Sequence, residues 1–78
     1  MSKPAITLQE QAHNHFGKNP DFDVMLHGVK TGDAFYNMTG YCAEIPLPSG
    51  AVLYSGEGSL ASLKRNISAV NREWAQAA

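Results

Sequence analysis

The 78 residues contain a single cysteine, Cys42, so no disulfide can form within the chain. A lone thiol fits a reducing compartment. Charge of either sign is also scarce in excess: six Lys and Arg against seven Asp and Glu leave a formal net charge of −1. That balance argues against a strongly basic binder of phosphate backbones and against a strongly acidic mimic of nucleic acid. No apolar run approaches the roughly 18 residues a membrane span needs. Met1-Ser2-Lys3-Pro4 leads into polar sequence rather than the apolar core of a signal peptide. A cytoplasmic protein with no membrane partner is expected. Repeats and low-complexity tracts are missing too, which leaves one domain over residues 1–78. A domain of this size buries only about 60% of its unfolded surface. One core in this size range rarely supplies more than roughly 3 to 5 kcal/mol, so a homodimer would be a natural supplement.

Thr7-Leu8-Gln9-Glu10 has the letters of a capping box, and Leu8, Ala12 and Phe16 recur at helical spacing before Gly17. A first helix is expected there. Phe22 to Val29 alternates, and Lys30-Thr31-Gly32-Asp33 has the content of a hairpin turn. Ala34 to Ile45 reads as one long second strand with a bend at Gly40, and Ala51 to Ser55 as a third after Pro46, Pro48 and Ser49-Gly50. Ser59 caps a second helix to about Ala77, in which Leu60, Leu63, Ile67, Val70 and Trp74 step by 3 and 4. The expected architecture is α+β: helix, three-stranded antiparallel sheet, helix, with both helices on one face of the sheet.

Period 2 then places Phe22, Val24, Leu26, Phe35, Tyr41, Ala43, Ile45, Val52 and Tyr54 on one side of the sheet. The other side carries Met25, Val29, Tyr36, Met38, Cys42 and Leu53, with His27 among them. Two helices cover one face only, so the second set is left for a partner. Met25, His27, Val29, Tyr36, Met38 and Leu53 are the expected protein-binding residues, for a target or for a second copy of the chain. Met and Tyr are enriched at the cores of interfaces.

Catalytic chemistry finds little to build on. His13 and His15, two apart on a helix, point about 200° apart and cannot share a metal as an i, i+4 pair would. A Cys42–His27 nucleophilic pair fails because the expected register sets His27 opposite Tyr36, roughly 20 Å from Cys42 at strand rise. Gly56-Glu57-Gly58-Ser59 opens a helix but lacks the lysine and length of a phosphate loop, and Glu57 would repel an anion. Neither enzymatic activity, nor a metal, nor a cofactor is expected. Lys64, Arg65 and Arg72 lie on the outer side of the second helix, as a solvated face or as phosphate contacts.

Two resemblances bear on function. The expected element order, with Gly56-Glu57-Gly58-Ser59 running into a helix bearing Lys64, Arg65, Ala69 and Val70, resembles the double-stranded RNA-binding domain. It implies phosphate contacts from Lys64, Arg65 and Arg72. Leu60 and Ala61 stand where that family places lysines, so nucleic-acid binding ranks second. In size and character the chain also resembles small phage-encoded inhibitors of the anti-CRISPR type. That resemblance implies a non-enzymatic protein that sterically blocks a nucleoprotein effector complex, here through an exposed apolar sheet face. A small dimeric structural or assembly protein is the third reading.

Overall fold

The computed structural model describes residues 3–11, 19–37 and 40–77. Five strands and one helix follow in chain order: β1 (Ile6–Glu10), β2 (Phe22–Leu26), β3 (Val29–Asn37), β4 (Gly40–Pro46), β5 (Val52–Gly58) and α1 (Leu60–Ala77). The strands form one antiparallel meander in the order β1-β2-β3-β4-β5. The helix–three-strand–helix expectation is therefore overturned, and with it the topological resemblance to the RNA-binding domain.

Thr7–Glu10 belongs to a strand because its exposure alternates: Ile6 is buried and Leu8 half-buried, while Thr7 and Gln9 are exposed. Pairing with β2 outweighs the capping-box letters, which are only a local preference. Ala12, Phe16 and Gly17, the rest of the expected first helix, lie outside the described residues.

The first hairpin turns at His27-Gly28 rather than at Thr31-Gly32. Both turn residues take positive φ, 50° and 82°, and Leu26 pairs with Val29 across them. Such a turn matches the twist of its strands. Gly32 lies inside β3, where a Cβ would come within 3.0 Å of the Glu44 carbonyl oxygen. Close strand approach, not turning, is what its missing side chain permits.

Ala34 to Ile45 is two strands, not one. Asn37 pairs with Gly40 across a tight hairpin, and the Asn37 side chain accepts the Gly40 N–H at 3.1 Å. Because Ala34 pairs with Ala43 and Tyr36 with Tyr41, even-numbered β3 residues share a face with odd-numbered β4 residues. This parity reversal decides which side chains are exposed.

The helix is as expected. Ser59 Oγ accepts the Ser62 N–H at 3.2 Å, and Leu63, Ile67 and Val70 are buried. They pack on Ile6, Phe22, Val24, Ala34, Tyr41, Ala43 and Ile45, with Leu60 and Trp74 at the margins of the core. Trp74 Nε1 donates to the Pro46 carbonyl at 3.0 Å, fixing the far end of α1. No helix among the described residues is long and apolar enough to cross a membrane.

Candidate interface on the open face of the sheet

With α1 on one side, the opposite side of the sheet is uncovered among the described residues. Phe35 on β3 and Tyr54 on β5 flank β4, pairing with Cys42 and Glu44 respectively. Phe35 is 39% exposed, Val52 43% and Tyr54 76%. Between them runs a shallow groove of about 480 Å³, lined by Asp33, Phe35, Cys42, Glu44, Tyr54 and Gly56. Gly56 leaves Cys42 partly uncovered, since a Cβ there would sit 3.6 Å from Sγ. The thiol accepts a hydrogen bond from Asn37 Nδ2 at 2.8 Å.

A polar cluster closes the β1–β3 end of this face. Asp23 and Asp33 pair directly across β2 and β3, an arrangement that would repel if left alone. Lys30 Nζ answers both, at 3.2 Å from Asp23 and 3.1 Å from Asp33, and Gln11 Nε2 donates to the same carboxylates at 2.8 and 3.1 Å. The hydrogen bond to Asp33, then that to Asp23, raises the Lys30 pKa above its ordinary value. Glu44 adds a further exposed carboxylate beside Tyr54.

The expected binding residues do not gather here. Met25 does face this side, half-buried and paired with Thr7 and Lys30. Tyr36 turns to the helix side, where its ring meets Tyr41 edge-on at 5.5 Å. Leu53 pairs with buried Ile45 and so also faces α1, beside Ala69 and Val70. Val29 is exposed at the start of β3, next to the turn. His27 occupies that turn, its ring edge-on to Trp74 at 5.7 Å, and is not opposite Tyr36. Met38 lies outside the described residues. Phe35, Val52 and Tyr54, assigned to the core by period 2, are the residues the face actually presents. The two-residue spacing between Asn37 and Gly40 was the available signal.

His27 sits against the helix side and Cys42 on the open side, so the two do not approach as a nucleophilic pair. Among the described residues no three of His, Cys, Asp and Glu group as metal ligands; His13 and His15 are not among them. Lys64, Arg65 and Arg72 are exposed on α1, and Arg65 donates to Ser62 Oγ at 3.1 Å. Compared with protein-family models, curated proteins and solved structures, the chain has no match.

Proposed function

We propose that this chain is a non-enzymatic protein-binding inhibitor of the anti-CRISPR type, docking the open face of its sheet on a nucleoprotein effector complex. The observation that carries this reading is the exposure of Phe35 and Tyr54 on the face away from α1. Two aromatic rings flanking a groove are the kind of anchor that dominates protein interfaces. Around them Asp23, Asp33 and Glu44 outnumber Lys30, so a fitting partner offers an apolar pocket rimmed by cations. Surfaces that hold nucleic acid have that rim, and occupying one would keep the nucleic acid out.

The test is a plasmid-interference assay in cells carrying an active CRISPR effector, paired with pull-down of that effector. The parent chain should restore transformation by the targeted plasmid and retain the effector. Phe35→Glu with Tyr54→Glu should lose both by more than tenfold while keeping the far-ultraviolet circular dichroism of the parent. Activity undiminished in that variant would remove the face from the reading. No restoration by the parent across representative effector types would remove the inhibitor assignment itself.

A further inference from the structure

The two edges of the sheet are treated differently. On β1, the Asn71 side chain bonds both main-chain groups of Ile6: Oδ1 accepts the N–H at 2.6 Å and Nδ2 donates to the carbonyl at 3.0 Å. One carboxamide thus stands in for a neighbouring strand. On β5, no strand pairs with the outer edge among the described residues.

Over residues 51–55 that second edge carries neither charge nor proline. Natural sheets blunt an open edge with Lys, Pro or inward charge. Residues 51–55 read Ala-Val-Leu-Tyr-Ser and contain none of these. Ala51, Val52, Leu53 and Tyr54 are all exposed, four apolar residues in succession. A helix or groove could cover one side of such a strand. Only another strand covers both sides at once, because its alternate side chains flank the same two faces.

We propose that β5 pairs antiparallel with β5 of a second copy, making a continuous sheet through a two-fold axis at Leu53. The register follows from hydrogen-bond alternation. Leu47 N–H donates to the Ala51 carbonyl, so by alternation the main-chain groups of Leu53 face β4 and those of Val52 and Tyr54 point outward. Pro46, opposite Val52, has no N–H to offer, in keeping with this alternation. Val52 of each copy then exchanges bonds with Tyr54 of the other. On the open face this sets two β-branched–aromatic pairs side by side, a favourable cross-strand combination.

On the helix side Leu53 meets its own copy in a pair with no hydrogen bonds, the closest kind of side-chain approach. Each leucine then meets the groove of about 500 Å³ on the other copy, which Leu47, Leu53, Asn66, Ala69, Val70 and Glu73 line beside β5. A second copy is the occupant because the segment is neutral from 51 to 55 and meets itself without like charges. The pairing stops there, since the register of β5 shifts between Ser55 and Gly58 and an irregular strand cannot extend a ladder.

The test uses the near contact at the axis. In a Cys42→Ser background, Leu53→Cys should cross-link to a dimer under mild oxidation at micromolar concentration, since paired strands hold such positions about 4.5 Å apart, within disulfide range. Val52→Cys, facing Tyr54, should cross-link at least tenfold more slowly. Sedimentation should show a concentration-dependent dimer for the parent, and Leu53→Lys should be monomeric with unchanged circular dichroism. Were Leu53→Lys to unfold, hydrogen exchange of the parent decides: Val52 and Tyr54 amides should gain protection as concentration rises. Phe35→Glu, off this edge, should dimerise like the parent. A parent that stays monomeric to millimolar concentration, equal cross-linking of the two cysteine variants, or concentration-independent exchange would each overturn the proposal.

Discussion

Leu63→Ala measures how much of this fold depends on its one helix. Leu63 is 1% exposed and packed among buried side chains of α1 and the sheet. Removing three carbons forfeits about 2.4 kcal/mol of transfer free energy at roughly 0.8 per methylene. The hole left behind adds on the order of 1 kcal/mol, because neighbours relax only in part. A loss of about 3 to 4 kcal/mol is large against the roughly 4 to 12 kcal/mol typical of a 78-residue domain. At about 4 to 8 °C per kcal/mol, the melting temperature should fall by roughly 12 to 30 °C. Thermal and urea melts followed by circular dichroism, at low micromolar concentration, read this directly. Leu53→Ala, at a site 38% exposed, is the internal control and should cost about 1 kcal/mol. If Leu63→Ala melts within about 5 °C of the parent, α1 is not the cover of the core and the packing argument fails.

Two further expectations concern single polar contacts. Asn71→Ala strips both partners from Ile6 and should cost about 1 to 3 kcal/mol, with faster exchange of the Ile6 amide as its signature; unchanged exchange would mean the carboxamide does not hold β1. Burial, followed by the charges of Asp21 and Glu10, raises the Tyr41 pKa above the ordinary 10.0. The unfolded chain therefore gives up this proton first, so the contribution is flat below about pH 10 and stability falls as pH rises through the folded value. Lys30, raised from 10.5, works in the same direction. In a Lys30→Gln background, Tyr41→Phe should flatten the alkaline slope while losing about 1 kcal/mol for the hydroxyl's bond to the Pro20 carbonyl. An unaltered slope would contradict this account.

Sequence periodicity served well where an element was long and its signals agreed. Ser59, the 3–4 stepping of Leu60 to Trp74, and the buried faces of β2 and β4 were all legible. Failure came at turns. Thr31-Gly32 has a stronger hairpin composition than His27-Gly28, yet Gly32 answers to contact with Glu44, which only the folded sheet reveals. Joining β3 to β4 as one strand preserved parity across a hairpin that reverses it. Phe35 was thereby sent inward and Tyr36 outward, the opposite of their places. In β5 the same slip interchanged Leu53 with Val52 and Tyr54, because the Ile45–Leu53 pairing depends on the length of the Pro46–Ala51 turn. Thr7–Glu10 shows a different limit: four letters with a local preference lost to a whole strand's pairing energy.

The bond between Asn71 and Ile6 joins positions 65 apart in sequence. Apart from α1, whose buried side chains also pack on Ile6, what holds β1 is its pairing with β2, nearer in the chain, so a hairpin of β1 and β2 can form early and fray freely. Only when α1 has settled across the finished sheet does the amide reach that strand. Ring closure of this length is paid for late, after the intervening strands have shortened the effective loop. The strand placed first in sequence should therefore be among the last to become locked during folding, and its release should accompany any undocking of the helix. Amides of β1 and the C-terminal half of α1 should consequently exchange as one cooperative unit, with a shared opening free energy, despite lying at opposite ends of the described chain.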